Sequence, residues 1–411
     1  MPYTSPIHHN DTLSENLSSI NIQDTEFCAG DSITPEQAAV PCQRISGGTL
    51  LHSLAALVGL HEETRSKAKH QWIQNDIGYF VAHHFDFGLA YAAVRIAWKD
   101  FNKHSMDSSV IYVQRSRWYQ CLQELNEARS KVIEIEHSSS QELITYPYSI
   151  MPRRLWDLRS NRVVDFQMLH ASQPNAQIAP PFWAVTHSWT SDMSSVSTPI
   201  NQHQWPVPLP KNITLDDLRT ELLALGAEYI WLDVICLRQK TEVDFLEQLK
   251  QQGWKLDVDS EVVSRENLRQ QEWKLDVPTI GNIYRAATKI VRYFNGLGIR
   301  FSNHGWDDPR HWLQRAWTLQ EITTESATIN GGVPRDLHSR QVFLNSQGKV
   351  SGTLVKFRSA IGPVLQLTAQ VDSSYGCEVY ELAREMAKRH ASQPLDKLSG
   401  LFWHHETSML R

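Results

Sequence analysis

The sequence predicts an α/β protein whose central domain is built on a parallel β-sheet. Short apolar or β-branched segments alternate with segments of helical periodicity between residues 181 and 330, and this alternation is typical of parallel sheets covered by helices. The segment "EYIWLDVICL" (228–237) is a continuous apolar run, as expected for a strand that is buried on both faces. Because crossover connections are right-handed, helices are expected on both faces of the sheet.

The elements of this domain are predicted in chain order from their residue patterns. "PFWAVTHSW" (181–189) is rich in β-branched and aromatic residues and predicts the first strand. Thr214 is followed by acidic residues and an apolar stripe that ends near Gly226, which indicates a capped helix. The full set comprises strands at 182–187, 229–233, 289–294 and 326–330, and helices at 214–227, 279–287 and 311–322.

The whole chain divides into four regions by composition and periodicity. Residues 1–45 are rich in Ser, Thr, Asn, Asp and Pro, so a mostly disordered leader is expected there. Apolar residues at helical spacing predict a helical N-terminal region over 46–145, and the α/β domain is expected over 146–335. A helical C-terminal region is expected over 336–411, cut short within an element at the last residue.

One segment of the α/β domain is duplicated. "EQLKQQGWKLDV" (247–258) recurs as "ENLRQQEWKLDV" (266–277), and two copies are too few for a solenoid. Because the segment is rich in Gln, Glu and Lys, we interpret it as a helical, exposed and peripheral extension of the connection between the second and third strands. A lid over the carboxyl edge of the sheet is the alternative interpretation.

Composition and missing motifs exclude several functional classes. The formal net charge is −5, so nucleic acid is not an expected partner, and the apolar stretches are too short to span a membrane. Five cysteines without CxxC spacing indicate reduced thiols and a cytoplasmic location. The absence of GxGxxG, Walker A, GxSxG and zinc-ligand spacings argues against a conventional dehydrogenase, ATPase, hydrolase or metal site.

Candidate site residues follow from the rule that parallel sheets bind ligands beyond the carboxyl ends of their strands. His187, Ser188 and Trp189 end the first predicted strand, and Asp233 ends the second. These four residues are therefore expected to share one crevice. Cys236 lies at the end of an apolar run, so an inert buried thiol is expected there.

The segment "HWLQRAWTLQEI" (311–322) carries a single carboxylate, Glu321. In a helix this carboxylate lies on the same face as Trp317, four residues earlier. An ordinary solvated glutamate is one interpretation of this pattern. A carboxylate placed beside an indole for chemistry is the other.

Four blocks in order, "FWAVTHSW", "EYIWLDVICLRQ", "IGNIYRAA" and "RAWTLQEI", resemble the fungal heterokaryon-incompatibility (HET) domain. The residues that match the second and last family blocks are Trp231, Asp233, Cys236 and Gln239, and Arg315, Trp317, Gln320 and Glu321. The first block departs from the family in having Thr190 where glycine is commoner. The resemblance covers about 150–335 and implies a protein of fungal non-self recognition and programmed cell death.

The HET domain is in turn similar to Toll/interleukin-1 receptor (TIR) domains, which implies a flavodoxin-like parallel sheet here. Plant TIR domains carry a Trp-Cys-Leu-x-Glu-Leu helix whose glutamate is catalytic for NAD cleavage, and "WTLQEI" has the same spacing. The resemblance therefore implies an NAD nucleosidase with Glu321 as its catalytic residue. The substrate-binding residues expected at the shared crevice are His187, Ser188, Trp189, Asp233, Arg315 and Trp317.

Cleavage of the nicotinamide–ribose bond is physically coherent with a single carboxylate. The reaction passes through an oxocarbenium-like state, and a desolvated carboxylate near the ribose stabilises its positive charge. NAD is then a substrate, and no cofactor or metal is required. Two alternatives stay open: a non-catalytic module that homo-oligomerises or binds a signalling partner, and a biosynthetic enzyme that uses another nucleotide or glycosyl substrate.

Overall fold

The computed structural model describes the N-terminal helices, the central sheet and short parts of the C-terminal half. The described residues are 22, 25–60, 70–97, 151–166, 169, 181–300, 308, 310–315, 318, 321, 327–330 and 343–344. Of the C-terminal region expected to be helical over 336–411, only residues 343–344 are described, and they form a strand. That strand corrects the prediction at this point, because it pairs with the edge of the sheet.

The predicted α/β class is confirmed by a mixed sheet whose centre is parallel. The described strands are β1 (Arg154–Asp157), β2 (Arg162–Asp165), β3 (Trp183–His187), β4 (Ser194–Val196), β5 (Val207–Leu209), β6 (Tyr229–Leu232), β7 (Lys289–Tyr293), β8 (Ala327–Asn330) and β9 (Phe343–Leu344). Seven of them form one sheet in the order β2-β1-β6-β3-β7-β8-β9, and β4 pairs with β5 separately. Strand β3 is parallel to both β6 and β7, and β7 is parallel to β8.

The parallel strands form where the sequence predicts them because their residues are buried. Every residue of β3 is buried, and β6 and β7 are buried except at their first residue. The parallel pairing of β3 with β6 excludes the antiparallel arrangement that would have contradicted the predicted fold class. The hydrophobic core surrounds this sheet.

The described α-helices connect the strands or precede them. They are α1 (Pro35–Ala38), α2 (Gly47–Leu57), α3 (His70–Ala82), α4 (Phe87–Ala97), α5 (Leu215–Ala224), α6 (Asp233–Cys236), α7 (Val243–Gln251), α8 (Val258–Asp276) and α9 (Ile280–Ala286). Helix α5 begins as predicted, with the Thr214 side chain bonded to the backbone N–H of Asp217 at 3.1 Å and the Asp217 carboxylate accepting in return. Such a cap contributes about 1 kcal/mol.

The expected disordered leader (1–45) is wrong at its C-terminal end. Residues 25–45 are described, and Ile33, Ala38 and Cys42 are buried in a second apolar core with helices α2, α3 and α4. The polar composition misleads here because a few buried apolar residues are enough to order the segment. The first 21 residues, and residues 61–69 and 98–145 of the expected helical region, lie outside the described residues.

The hairpin of β1 and β2 was not predicted, although it extends the sheet next to β6. Its turn contains Asn161 in the left-handed region, with φ of 54°, a conformation that asparagine tolerates better than most residues. Arg162, fully buried, forms an ion pair with Asp86 at 3.0 Å and so joins the hairpin to the N-terminal helices. Those helices therefore pack onto the sheet.

The duplicated segment forms α7, the loop after it and most of α8, so its helical character is largely confirmed. Its peripheral position is wrong for the second copy. Glu272 in α8 lies 2.9 Å from Arg154 of β1, and Asp276 lies 2.9 Å from Arg153. The prediction failed because these carboxylates look solvated in sequence, whereas their arginine partners are about 120 positions away.

Candidate functional site

His187 and Asp233 meet at the carboxyl edge of the parallel strands. His187 is the last residue of β3, and Asp233 follows directly after the neighbouring strand β6. The two chain segments run in the same direction, so both side chains project from the same edge. His187 Nε2 lies 2.8 Å from Asp233 Oδ1, which confirms that the two predicted residues come together.

Both ring nitrogens of His187 face oxygen acceptors. Nε2 faces the Asp233 carboxylate, and Nδ1 lies 3.0 Å from the backbone oxygen of Ser188. A neutral imidazole donates from only one nitrogen, so this arrangement is best satisfied by the doubly protonated ring. Burial opposes that charge, but the charge and hydrogen bond of Asp233, together with the bond to Ser188, outweigh burial and raise the pKa of His187. The same pairing, helped by Arg315, lowers the pKa of Asp233 against the effect of its own burial.

The segment from Trp231 to Gln239 folds into a turn that fixes Asp233. The backbone N–H of Val234 donates to Asp233 Oδ1 at 2.8 Å, and Gln239 Nε2 donates to the Asp233 backbone oxygen at 3.0 Å. Cys236 closes the turn by donating from Sγ to the Ile230 backbone oxygen at 3.6 Å. These residues therefore position Asp233 and leave its carboxylate at the sheet edge.

Cys236 is the inert buried thiol that the sequence predicts. Its side chain is buried, and burial raises the pKa of its thiol to about 12. A thiol with such a pKa carries almost no thiolate at neutral pH, so it is a poor nucleophile.

Glu321 is buried beside the last residues of β3. It is 9% exposed, and its Oε2 accepts a hydrogen bond from the Thr186 hydroxyl. Burial raises the pKa of Glu321, while Arg315 and the Thr186 hydroxyl partly offset this effect. The solvated-glutamate interpretation is therefore wrong, and the carboxylate lies within the electrostatic reach of the His187–Asp233 pair.

The segment 311–322 differs from the continuous α-helix that the sequence predicts. Its described residues form a 3₁₀ turn at Trp312–Gln314. The Thr318 hydroxyl lies 2.7 and 2.8 Å from the backbone oxygens of Trp312 and Arg315 and shares its single proton between them. A threonine side chain that occupies these carbonyls competes with the backbone bonds of an α-helix.

The other predicted binding residues have different surroundings. Arg315 donates from Nη1 to the His187 backbone oxygen at 2.7 Å and is partly exposed. Trp189 is partly exposed, and its ring centroid lies 5.7 Å from that of His187. Ser188 is 2% exposed and donates to the Phe294 backbone oxygen at 2.7 Å. Trp317 lies outside the described residues.

These contacts separate the residues that can touch a ligand from those that support them. Ser188 and His187 are buried, and each already uses its polar side-chain atoms within the protein. Their expected role in substrate contact stays a prediction, and the contacts in this structure are those of supporting residues. Asp233, with a side chain 25% exposed, and the partly exposed Arg315 and Trp189 remain able to meet a ligand.

The sequence analysis missed Thr186, Trp312 and Tyr284. Trp312 Nε1 donates to Thr186 Oγ1 at 2.6 Å, and the Tyr284 hydroxyl donates to the Val185 backbone oxygen at 3.1 Å. The position of Thr186 could have indicated its role. It is a polar residue one place before the end of a strand that is buried along its whole length. Buried polar groups need partners, so such a residue marks a bonded site.

Comparison with known proteins adds no identification, since the sequence matches no family model, no curated protein and no solved structure. Within the part of the chain that the structure describes, no group of three His, Cys, Asp or Glu side chains is arranged to hold a metal ion. None of the described helices is long and apolar enough to cross a membrane. The geometry at the sheet edge is therefore the main indication of function.

Proposed function

We propose that this chain is a HET-domain protein of fungal non-self recognition and cell-death signalling that cleaves NAD at the nicotinamide–ribose bond. The observation that carries the proposal is the buried Glu321 carboxylate, bonded to Thr186 beside the His187–Asp233 pair. A desolvated carboxylate at the carboxyl edge of a parallel sheet is suited to stabilising a cationic transition state. The resemblance of "RAWTLQEI" to the HET and TIR motifs supports the same residue.

A flavodoxin-like, TIR-like fold is part of the proposal, and the strand order supports it. Numbered along the chain, the four parallel strands β3, β6, β7 and β8 take the order 2-1-3-4 across the sheet. Flavodoxin-like sheets begin with this order, and their ligand binds where the first strand adjoins the third. Glu321 contacts the corresponding first strand, β3, through Thr186.

The electrostatics of Glu321 suit a cationic substrate. Burial raises the pKa of this carboxyl group, so its charge stays costly in the free protein although Arg315 and His187 partly offset the cost. The nicotinamide ring of NAD is positively charged, and the ribose acquires positive charge as the bond breaks. Glu321 gains most from ionisation when this charge develops, which is the differential stabilisation that accelerates a reaction. Nicotinamide leaves as a neutral base, so no general acid is required.

Asp233 is proposed to hold a ribose hydroxyl. Its Oδ1 accepts from both His187 Nε2 and the Val234 backbone N–H. Among the described residues, Oδ2 is therefore the oxygen of this partly exposed carboxylate that can accept from a ligand. Pairing with His187 keeps Asp233 ionised and fixed in orientation.

The test is release of nicotinamide from NAD by the purified chain, assayed at several protein concentrations because homo-oligomerisation is a proposed route to activation. Glu321→Gln keeps the shape of the side chain and removes its charge. We expect turnover to fall on the order of a hundredfold or more, as for other electrostatic deletions. Glu221→Gln is the matched control, since Glu221 also accepts a hydroxyl bond, from Tyr293 at 3.0 Å.

Each outcome of this assay distinguishes between the candidate functions. Equal turnover by wild type and Glu321→Gln would remove Glu321 from the mechanism. No turnover by wild type at any concentration would favour the non-catalytic module, which acts through a second copy or a signalling partner. Turnover of another nucleotide or glycosyl compound instead of NAD would favour the biosynthetic alternative.

A further inference from the structure

Three buried side chains form a continuous hydrogen-bonded chain that ends at Glu321. Trp312 Nε1 lies 2.6 Å from Thr186 Oγ1, and Thr186 Oγ1 donates in turn to Glu321 Oε2. Trp312 and Thr186 are almost fully buried, and Glu321 is buried at the end of the chain. The three residues come from two distant parts of the sequence, so the chain exists only in the folded protein.

The direction of this hydrogen-bonded chain is fixed by the chemistry of tryptophan. An indole N–H can only donate, so Thr186 Oγ1 must accept from Trp312. The single hydroxyl proton of Thr186 is then directed to Glu321. Arg292, which pairs with Thr186 across β3 and β7, places its guanidinium 4.3 Å from the centre of the Trp312 ring. A cation on the ring face withdraws electron density from the indole and makes its N–H a stronger donor.

We propose that Thr186 is a positioning residue, which orients the Glu321 carboxylate through a hydrogen-bonded relay whose direction is set by Trp312. The proposal deepens the proposed function, because it rests on Glu321 as the group that stabilises the reacting ribose. Thr186 does not touch the substrate in this arrangement. Its contribution is to hold Oε2 of the carboxylate in place and to favour the ionised form.

Other charged or titratable groups act on Glu321 from several elements. Arg315 and His187 favour its ionised form, and Asp233 opposes it. Burial and then Glu321 raise the pKa of the Tyr284 phenol on α9, and the Thr186 hydroxyl also bonds to this phenol. These groups act through space, whereas Thr186 bonds directly to the carboxylate oxygen. Loss of the Thr186 hydroxyl therefore breaks the relay at its centre and also removes the bond to Tyr284.

The experiment compares Thr186→Val, which removes the hydroxyl at nearly constant shape, with Thr186→Ser, which keeps it. Thr288→Val is the matched control, because it removes a hydroxyl bond to the Phe182 backbone oxygen at the start of β7. The ionisation of Glu321 is followed by NMR of ¹³C-labelled glutamate carboxyl groups, with its signal assigned by its absence in Glu321→Gln. Nicotinamide release is measured over the same pH range.

We expect Thr186→Val to raise the titration midpoint of Glu321 by about one pH unit, because the ionised carboxylate loses one hydrogen bond. The acidic limb of the pH profile of kcat/KM should move by the same amount, so turnover at acid pH falls about tenfold. Thr186→Ser and Thr288→Val should keep the wild-type midpoint. A loss of packing alone would lower stability without moving either midpoint.

The two readouts separate the relay from the proposed function. If wild type releases no nicotinamide but Thr186→Val moves the Glu321 midpoint, the relay stands and the enzymatic function is rejected. If wild type is active and Thr186→Val leaves both midpoints unchanged, the function stands and the relay is rejected. A shift of equal size in Thr288→Val would also reject the relay, since it would show a general effect of lost hydroxyls.

Discussion

Replacing Asp233 by asparagine tests the pair that joins the ends of β3 and β6. The change preserves the size of the side chain and its ability to accept from the Val234 backbone N–H. It removes the negative charge that lies 2.8 Å from His187 Nε2. His187 is 2% exposed, so water cannot replace the lost partner without opening the sheet edge.

The size of the effect follows from the strength of a charge-assisted hydrogen bond, which is worth about 1.5–3 kcal/mol. The Asp233 side chain is 25% exposed, so we expect a loss of about 2 kcal/mol in the free energy of unfolding, below the range for fully buried pairs. A loss of that size lowers the melting temperature by about 4–8 °C in a domain of this size.

The loss should depend on pH, because both partners have shifted pKa values. The stabilisation from His187, whose pKa is raised from 6.5, is fully present below that value and is lost as pH rises through the folded pKa. The stabilisation from Asp233, whose pKa is lowered from 3.8, is present above that value and is lost as pH falls through the folded pKa. The loss of unfolding free energy in Asp233→Asn should therefore be greatest between pH 3.8 and pH 6.5.

The assay is urea unfolding of wild type and Asp233→Asn at mildly acidic and at strongly alkaline pH. Asp244→Asn, an exposed aspartate in the first turn of α7, serves as the control for loss of a carboxylate and should change stability by a few tenths of a kcal/mol at most. An equal cost at both pH values would show that the His187–Asp233 pair is not charged in the folded protein. That result would refute the protonation state derived from the two hydrogen bonds of His187.

Three further predictions use other groups in the chain. Glu321→Gln should raise the melting temperature at neutral pH, because the raised pKa of Glu321 means that its ionisation destabilises the fold. Scanning calorimetry should show the gain shrink as pH falls through that pKa and vanish below the ordinary glutamate value of 4.5. Glu272→Gln should lower the free energy of unfolding by about 3 kcal/mol, as urea unfolding can measure. Glu266→Gln breaks a more exposed ion pair on the same helix and should lower it by less than about 1 kcal/mol. Equal losses in the two variants would contradict the packing of α8 against the sheet. Iodoacetamide should label exposed Cys28 and leave Cys236 unmodified in the native protein, as peptide mass spectrometry can check.

The parallel centre of the sheet could be predicted because its strands are recognisable from their own residues. A strand buried on both faces must be apolar along its whole length, and "YIWL" and "WAVT" satisfy this requirement without reference to distant residues. Parallel pairing then places the strand ends at one edge, which is why the meeting of His187 and Asp233 could be anticipated. The β1–β2 hairpin was not predicted because each of its short strands begins and ends with a charged residue and so lacks a continuous apolar run.

The finer geometry of the site could not be predicted, because it depends on partners far apart in the sequence. Thr186 bonds to residues 126 and 135 positions away. In the sequence, Thr186 is simply a β-branched residue suited to a strand. The segment that carries Trp312 has helical periodicity, yet Thr318 bonds its backbone oxygens and the described residues form a 3₁₀ turn. Tertiary contacts thus override local propensity at the candidate site.

The duplicated segment shows how one substitution can redirect an otherwise repeated sequence. Both copies end in Trp-Lys-Leu-Asp-Val, but the preceding residue is Gly253 in the first copy and Glu272 in the second. Gly253 adopts a φ of 94°, which favours glycine, and the chain leaves helix α7 just before it. Glu272 instead continues α8 and binds Arg154 of β1. Gly253 therefore allows the first copy to leave helix α7, and Glu272 binds the second copy to the sheet through Arg154.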